Sequence, residues 1–374
     1  MQGTASQAMT LVAPCLFGLE SVVREQVEAL GYRAAEVTDG RVSFSGGPDA
    51  VARANVGLRS AERVLIEVGR FGAETFDHLF EGTKAVDWAA FVRKDDAVTV
   101  TGASVRSALT SIPACQRIVK KAIADKLMQH YGLTRLPETG ARLNVQFLLL
   151  KDTASVLLDT SGDPLYKRGY RTEHGEAPLR ETLASALLHL SRYKGRAPFA
   201  DPFCGSGTLS IEAALIATNR APGMSRSFAL EQLAFMPSDI LKNARAEAAA
   251  AVTEAQCDIH AADIDPAMTA LTVRNAERAG VASAVRVTAA PVSEFAPAAE
   301  KGVLVCNPPY GERTSERRLC EELYAQMGRV FASMTDWRTG ILTSHPDFEK
   351  HYGRRASKKR KLYNGNLRCD YYQF

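Results

Sequence analysis

The chain has 374 residues, 46% of them hydrophobic, which is enough for well-formed cores in two or three domains. The 46 lysines and arginines against 42 acids give a formal net charge of only +4, so the overall charge decides little about partners. Seven cysteines without a Cys-x-x-Cys pair argue against disulfides and structural zinc and predict a cytoplasmic location, and no segment approaches the ~20 unbroken apolar residues of a membrane span.

The first elements along the chain follow the order strand, helix, strand, strand, helix, strand. The strands are predicted at 11–14, 34–38, 41–45 and 63–70, and the helices at 19–30 and 48–55. The Asp39-Gly40 pair between the two middle strands is typical of a two-residue hairpin turn. This order predicts a ferredoxin-like domain over residues 10–70.

A second α+β unit follows. Its elements are predicted as a strand at 96–105, a helix at 115–132 and a strand pair over 141–162 that turns near Lys151-Asp152. The helix is expected to bury one apolar face, made of Ile118, Ala122, Leu127 and Met128. Basic residues lie elsewhere on the helix and just before it: Arg106, Arg117, Lys120 and Lys121. Such a face is often only solvated surface, and a nucleic-acid contact is the other interpretation.

From about Leu165 onward, helices and strands alternate as in a doubly wound α/β fold. The first helix is expected to place four leucines on one face, with Pro178 in its first turn: Leu179, Leu183, Leu187 and Leu190. Seven strands are predicted, at 197–201, 257–263, 284–290, 302–307, 339–344, 354–364 and 367–374. The last two meet at Asn364-Gly365 as a hairpin, which predicts a sheet with a closing antiparallel pair.

The first of these seven strands runs into a glycine-rich turn and then a helix. Gly205 and Gly207 permit a positive φ and the close approach of a ligand, and Thr208 can begin the helix. A dinucleotide site normally has a third glycine where this chain has Ser210, so a tight structural turn is the alternative. Asp201, just before the turn, favours a ligand with an ammonium group over one with a phosphate.

Two acids stand at the end of the next strand. Asp263 is expected to accept hydrogen bonds from both hydroxyls of a ribose, whereas Asp265 before Pro266 fits a helix N-cap. Gly207 and Asp263 lie much further apart than the ~20 residues of a simple dinucleotide unit. Residues 218–237 are therefore expected to be an insertion near the site.

The strand at 302–307 ends abruptly in the sequence Asn307, Pro308, Pro309, Tyr310. The side-chain oxygen of Asn307 and the carbonyl oxygen of Pro308 can bind the two hydrogens of an exocyclic base amine and orient its lone pair toward an electrophile. Tyr310 can stack on the base. This chemistry needs neither a metal nor a covalent nucleophile, and the alternative is a Pro-Pro turn that only ends the strand.

Together these motifs resemble the class I S-adenosylmethionine-dependent methyltransferases that carry an NPPY motif. The closest resemblance is to bacterial RNA methyltransferases with an N-terminal THUMP domain, once grouped as adenine-specific DNA methylases. The segments that carry it are "SIPACQRIVKKAI", "LYKRGYR", "APLRETLASALL", "DPFCGSGTLSIEAA", "NRAPGMSRSFALE" and "NPPYGER". The resemblance implies an α/β fold with a ferredoxin-like domain at 10–70, a THUMP RNA-binding domain at 71–161 and a seven-stranded Rossmann-like methyltransferase domain at 162–374.

The same resemblance implies S-adenosylmethionine as the cofactor and assigns residues to it. They are Arg180, Glu181, Thr182, Asp201, Phe203, Gly205, Gly207, Thr208, Asp263, Ile264 and Asn307. Pro291 stands where such enzymes often have an acid for the adenine amino group, so Glu294 or backbone groups are expected to bind the adenine. The target amine is assigned to Asn307, Pro308, Pro309 and Tyr310.

The RNA is expected to contact the basic helix of the second unit and the C-terminal hairpin. Residues 350–374 hold eight lysines and arginines against one acid, Asp370. The expected phosphate contacts in the hairpin are Lys358, Lys359, Arg360 and Lys361. Such contacts position the strand without specifying its sequence, and the target base must leave its stack to reach Tyr310.

The resemblance favours methylation of guanine N2 in structured RNA, with ribosomal RNA as the expected partner and neither a membrane nor a metal. Methylation of adenine N6 in RNA or DNA is the main alternative, because both bases carry an exocyclic amine. A protein glutamine amide is disfavoured by the basic second unit. A non-catalytic RNA-binding assembly factor is disfavoured by the intact Asp201, Gly205, Gly207, Asp263 and Asn307.

Overall fold

A computed structural model describes residues 8–171, 179–311 and 314–374. Its N-terminal unit consists of β1 (Met9–Pro14), α1 (Glu20–Ala29), β2 (Ala34–Thr38), β3 (Arg41–Gly46), α2 (Pro48–Gly57) and β4 (Leu65–Gly72). These strands pair antiparallel in the order β2-β3-β1-β4, with the Asp39-Gly40 turn between β2 and β3. The ferredoxin-like order predicted from the sequence is confirmed.

The second unit consists of α3 (Phe76–Ala85), β5 (Ala97–Val105), α4 (Ile112–Tyr131), β6 (Arg142–Leu150) and β7 (Thr153–Asp159). Lys151 and Asp152 form the predicted turn, both with positive φ. The predicted buried face of α4 is only partly right, because Ile118 and Met128 are half-buried. The buried residues are Cys115, Val119, Ala122, Ile123 and Leu127, whose spacing of three and four residues keeps them on the side that faces the sheet.

The two N-terminal units share a single sheet. β4 pairs antiparallel with β7, which gives one seven-stranded sheet in the order β2-β3-β1-β4-β7-β6-β5. Large buried side chains from both units, such as Phe44, Trp88 and Phe147, belong to the same hydrophobic core. The two predicted units are therefore packed as one body.

The C-terminal part begins with α5 (Glu181–Leu190), β8 (Phe199–Asp201), α6 (Thr208–Ala217), α7 (Ile240–Ala250), β9 (Ile259–Asp263), α8 (Pro266–Arg278), β10 (Arg286–Ala289) and β11 (Lys301–Cys306). It continues with α9 (Thr314–Phe331), β12 (Asp336–Thr343), α10 (Phe348–Tyr352), β13 (Lys358–Asn364) and β14 (Leu367–Gln373). Leu179, Leu183 and Leu187 are buried as predicted, Leu190 is half-buried, and Pro178 lies outside the described residues.

The second sheet has the order β10-β9-β8-β11-β12-β14-β13. The first five strands of that order are parallel, and β14 and β13 close the sheet as an antiparallel pair. The seven predicted strands and the closing hairpin are confirmed. The chain moves outward from β8 to β10 and returns to β11 on the other side, so the carboxyl ends of β8 and β11 flank a switch point where α/β folds bind ligands.

The insertion predicted at 218–237 packs against the N-terminal sheet, and its predicted nearness to the site stays a prediction. Its apolar residues Phe228, Leu230 and Leu233 pack into the core of the N-terminal sheet. Arg226 donates hydrogen bonds to the carbonyl oxygens of Asp163 and Pro164, each 2.6 Å away. The insertion thus joins the C-terminal part to the N-terminal sheet.

Each helix in the three described stretches of chain is too short or too polar to cross a lipid bilayer.

Candidate active site

The glycine turn after β8 uses its two glycines differently. Gly205 has φ +52°, and apart from its own chain neighbours no heavy atom of the described residues lies within 4 Å of the place that a Cβ would take. Gly207 has φ +85°, and a Cβ there would lie 2.7 Å from Cγ2 of Thr272 on α8. Gly205 therefore leaves space above the turn, whereas Gly207 permits α6 to start close to α8.

The carboxylate of Asp263 connects two loops at the ends of neighbouring strands. Its Oδ2 accepts a hydrogen bond from the Gly205 N–H at 2.9 Å, and its Oδ1 accepts one from the Asp265 N–H at 3.0 Å. Asp265 accepts a hydrogen bond from the Ala267 N–H at 2.8 Å, which confirms its predicted role as the N-cap of α8. The two acids thus have different roles, and only Asp263 faces the glycine turn.

Asp201 lies beneath the turn with only 1% of its surface exposed. Its carboxylate accepts a hydrogen bond from the Phe203 N–H at 3.2 Å. Burial raises the pKa of Asp201 well above its usual value; the Phe203 N–H lowers this pKa in part, and the nearby Asp263 raises it further. Asp201 therefore shapes the turn from below.

The Asn-Pro-Pro-Tyr turn follows β11 directly. The hydroxyl of Tyr310 donates a hydrogen bond to Oδ1 of Asn307. Burial raises the pKa of the Tyr310 hydroxyl, so it stays protonated as a donor. On the other side of the turn, the hydroxyl of Tyr324 donates to the Pro309 carbonyl oxygen at 2.7 Å. Glu312 and Arg313, which end the NPPYGER motif, lie outside the described residues.

One cavity of about 1080 Å³ joins the glycine turn to the Asn-Pro-Pro-Tyr turn. Residues of both motifs line it, among them Phe203, Gly205, Asp263, Asn307, Pro308 and Tyr310. Its apolar wall includes Ile264, which is 73% exposed, together with Pro291 and Val292. A lining with both polar and apolar side chains suits a ligand that has both a hydrogen-bonding part and a flat ring.

Two features of this cavity were not predicted from the sequence. Leu319 of α9 lies in the wall with 67% of its surface exposed, and the tip of the C-terminal hairpin, residues 364–367, forms another side. An amphipathic helix pattern does not reveal which exposed leucine faces a cavity. The Asn364-Gly365 pair predicted the hairpin, but it did not predict that the hairpin tip lines this cavity.

Several predicted cofactor residues do not line the cavity. They are Arg180, Glu181, Thr182, Asp201, Gly207, Thr208 and Glu294. Glu294 is exposed in a short helical turn, and Thr208 is buried within 3.4 Å of Arg171. The cofactor roles of these residues stay predictions.

The residues at the start of α5 contact the N-terminal unit. Glu62, in the loop before β4, accepts hydrogen bonds from Thr182 at 2.5 Å and from Arg180 at 3.4 Å. Glu181 is buried and pairs with Arg171 at 2.9 Å. Burial raises the pKa of Glu181 to about 7, although Arg171 opposes the shift. No sequence signal pointed to Glu62.

The predicted RNA-contacting residues lie on two separate elements. Arg106, Arg117, Lys120 and Lys121 are exposed on α4 or just before it, and Lys120 forms an ion pair with Glu138 at 3.0 Å. Lys358, Lys359, Arg360 and Lys361 lie on β13. Lys359 pairs with Asp370 at 3.1 Å, and Arg360 donates to the Gly18 carbonyl oxygen at 2.6 Å. Arg360 thus makes a hydrogen bond to the N-terminal unit, and RNA contacts by the whole set stay predictions.

Histidine, cysteine and acidic side chains do not form a metal-binding group within residues 8–171, 179–311 and 314–374.

Comparison with known families divides the chain into three matched regions. The model of the RlmL ferredoxin-like domain matches residues 10–65, that of the THUMP domain residues 73–159, and that of the RMKL-like methyltransferase domain, UPF0020, residues 168–373. The order along the chain is the one that the sequence motifs predicted.

Individual relatives match over nearly the whole of this chain. "Putative RNA methyltransferase YpsC" of Bacillus subtilis is 45% identical over 368 residues, covering 98% of this chain and 95% of the relative. "Ribosomal RNA large subunit methyltransferase K/L" of Methylococcus capsulatus is 33% identical over 371 residues, covering 96% of this chain but only 50% of that protein. The crystal structure of SMU.472 complexed with SAH has a TM-score of 0.91 at 41% identity, covering 98% of both chains.

The RMKL-like model alone covers more than half of the sequence, and its region contains the whole glycine turn, Asp263 and the Asn-Pro-Pro-Tyr turn. The chain therefore belongs to the UPF0020 family of RMKL-like methyltransferase domains, here preceded by an RlmL-type ferredoxin-like domain and a THUMP domain.

Proposed function

We propose that this protein transfers a methyl group from S-adenosylmethionine to an exocyclic base amine of RNA, namely N2 of a guanine in ribosomal RNA. The observation that carries the proposal is the single cavity that joins Gly205 and Asp263 to Asn307, Pro308 and Tyr310. A methyl donor and an acceptor amine must meet in one space, and this cavity provides it.

The residues around the glycine turn fit the donor. The open space above Gly205 permits a close approach of the ligand, and the Asp263 carboxylate can accept hydrogen bonds from ribose hydroxyls. Ile264 and Val292 offer an apolar wall for the adenine ring. The SAH bound in SMU.472, at 41% identity, supports the same ligand chemistry here. When bound, S-adenosylmethionine supplies an electrophilic methyl group on a sulfonium ion.

The Asn-Pro-Pro-Tyr turn fits the acceptor. Oδ1 of Asn307 and the Pro308 carbonyl oxygen are acceptors for the two hydrogens of the base amine, and the Tyr310 ring can stack on the base. The hydrogen bond from the Tyr310 hydroxyl holds the Asn307 side chain in position until the base amine binds to Oδ1 of Asn307. The two acceptors turn the amine lone pair toward the donor side of the cavity.

The proposal that the substrate is RNA, and specifically ribosomal RNA, rests on the matched THUMP domain and on the names of two relatives. The THUMP domain and the name of YpsC support an RNA substrate, and the name of the Methylococcus capsulatus relative supports large-subunit ribosomal RNA. This chain spans half of that second relative, so the activity of the whole relative is part of the proposal only. Guanine N2 follows from the family resemblance of the sequence motifs.

Two further expectations belong to the same proposal. All seven cysteines are free thiols, which supports a reducing cytoplasmic location. We also propose domain borders at 10–70, 71–161 and 162–374, and the three matched regions fall within them.

The test is to incubate the protein with labelled S-adenosylmethionine and ribosomal RNA from cells that lack this protein, with transfer RNA and DNA in parallel. The acceptors are then digested to nucleosides and separated. Labelled N2-methylguanosine from ribosomal RNA is the expected product. Labelled N6-methyladenosine would move the assignment to adenine, and no label in any acceptor, with donor binding intact, would favour a non-catalytic RNA-binding role.

A further inference from the structure

A second cavity lies where the N-terminal domain meets the C-terminal hairpin. It measures about 690 Å³ and is lined by Cys15, Leu16, Phe17, Gly18, Lys361 and Tyr363. The first four residues form the loop after β1, and the other two lie on β13 at the edge of the second sheet. We name this cavity the Phe17–Tyr363 groove.

The loop that carries Phe17 is held firmly in place. Oε1 of Glu20 accepts hydrogen bonds from the N–H groups of Gly18, at 3.1 Å, and of Gly40, at 2.9 Å. The carbonyl oxygen of Gly18 accepts the hydrogen bond from Arg360 at 2.6 Å. Since these bonds fix the loop to both domains, Phe17 has a defined position.

Phe17 nevertheless keeps 60% of its surface exposed, and Tyr363 keeps 36%. The two aromatic side chains line one groove from two different elements, so an apolar surface is open to a ligand there. The ammonium group of Lys361, which lines the same groove, lies 5.6 Å from the centre of the Tyr363 ring. Aromatic rings for stacking, together with a cation for a phosphate, are the elements with which proteins bind unpaired nucleotides.

The groove and the proposed site of methyl transfer involve adjacent residues of the C-terminal hairpin. Tyr363 is bonded directly to Asn364, and Asn364 lines the large cavity together with Asn307 and Tyr310. A base that enters this cavity must leave its stack, so the neighbouring nucleotide loses a stacking partner. A nearby aromatic surface can replace that partner. The basic composition of 350–374 favours RNA over an apolar protein segment as the occupant.

We propose that the Phe17–Tyr363 groove binds an unpaired nucleotide of the RNA next to the target base, with the base against the two rings and its phosphate near Lys361. This inference rests on the proposed function. It gives the ferredoxin-like domain a direct part in substrate binding through Phe17.

The test measures the binding of a short, unstructured, fluorescently labelled RNA to the full-length protein by fluorescence anisotropy. Phe17→Ala and Tyr363→Ala are each expected to raise Kd roughly 5- to 150-fold, which corresponds to about 1–3 kcal/mol per stacked base. Phe17→Trp should restore binding. Val273→Ala is the matched control, because Val273 is an exposed apolar residue on α8, which contributes no residue to either cavity.

Salt dependence separates the rings from the cation. Lys361→Gln is expected to reduce the slope of log Kd against log salt concentration, whereas Phe17→Ala should leave that slope unchanged. Melting temperatures close to wild type would show that the variants fold. If both alanine variants bind the RNA within twofold of wild type, or if the wild-type protein binds no unpaired RNA, the inference is wrong.

The outcome for methyl transfer is independent of this result. If the wild-type protein methylates ribosomal RNA and both alanine variants bind RNA like wild type, the proposed function stands and the groove assignment fails. If the rings control RNA binding but no acceptor receives label, the groove still binds an unpaired nucleotide, while the proposed transfer reaction, and with it the place of that nucleotide next to a target base, fails.

Discussion

The hydroxyl of Tyr324 on α9 donates a hydrogen bond to the carbonyl oxygen of Pro309, 2.7 Å away. The same hydroxyl lies 3.2 Å from Oγ1 of Thr343 at the end of β12, and the Tyr324 side chain is completely buried. Pro309 is in the middle of the turn that holds the proposed acceptors. Tyr324 is therefore a positioning residue, because it fixes the turn without touching the cavity.

Tyr324→Phe should lower kcat up to about 100-fold, because a displaced acceptor pair no longer aligns the amine. The lost hydrogen bond should also reduce the free energy of unfolding by about 1 kcal/mol. Single-turnover methyl transfer and urea unfolding measure the two effects. Tyr352→Phe is the matched control, since Tyr352 is buried in the same core and stacks on Phe348. Equal kcat in the two variants would contradict a positioning role.

Asn307→Ala should reduce turnover by about 100- to 1000-fold, because it removes a fixed dipole that acts on the amine in the transition state. Its affinity for S-adenosylmethionine should stay within a few-fold of wild type, as measured by calorimetry. Asn366→Ala is the control. Asn366 lies at the hairpin tip and lines the same cavity, so this variant also removes a side-chain amide from the cavity wall. Retained turnover in Asn307→Ala would show that the acceptor is elsewhere.

Asp263→Asn should weaken donor binding roughly 10- to 100-fold, because hydrogen bonds to a charged group contribute about 1.5–3 kcal/mol. Asp265→Ala is the internal control: it removes the N-cap of α8 and should cost about 1 kcal/mol of stability without a comparable change in Kd. Calorimetric titration with S-adenosylmethionine compares the two. The assignment fails if both variants bind the donor equally well.

The parts of this site that could be predicted have local signals in the sequence. Glycines at 205 and 207, the acid at 263 and two prolines after an apolar strand each interrupt a regular pattern, and the parallel sheet brings strand ends together. The parallel strands could be predicted because they are short and largely apolar, and the closing pair, whose strand β13 is basic, because Asn364-Gly365 marks a hairpin turn.

The features that escaped prediction depend on contacts between distant elements. Phe228 has the same apolar character in either core, and only the folded chain shows that it packs on the N-terminal sheet. In the sequence, Tyr324 is indistinguishable from the other apolar residues of an amphipathic helix, so its hydrogen bond to the turn could not be predicted. The bond from Thr182 to Glu62 joins residues that are far apart in the sequence, and no local pattern encodes it.

The buried Glu181 predicts a pH-dependent contribution to stability. Burial raises its pKa in the folded protein from 4.5 to about 7, so the native state holds a proton that the unfolded state has already released. The contribution of Glu181 to the free energy of unfolding is therefore complete below about pH 4.5. It falls as the pH rises toward 7, by about 3 kcal/mol in total.

Glu181→Gln imitates the protonated side chain, so its free energy of unfolding should not fall through deprotonation of residue 181 as the pH rises. The free energy of unfolding of the variant, relative to wild type, should therefore increase as the pH rises from about 4.5 to 7. Denaturant unfolding across this range measures the difference, with the exposed Glu254→Gln as control. A constant difference would mean that Arg171 keeps Glu181 charged throughout.

Phe228→Ala tests whether the insertion holds the N-terminal sheet and the C-terminal part together. The Phe228 ring is buried in the N-terminal core and lies 4.9 Å from the guanidinium of Arg226. Its removal should cost about 3–5 kcal/mol and separate the unfolding of the two parts into distinct calorimetric transitions. Phe76→Ala removes a more exposed phenylalanine as the control. Because the insertion lines neither cavity, donor affinity at low temperature should be unchanged, and weaker donor binding would place the insertion at the site after all.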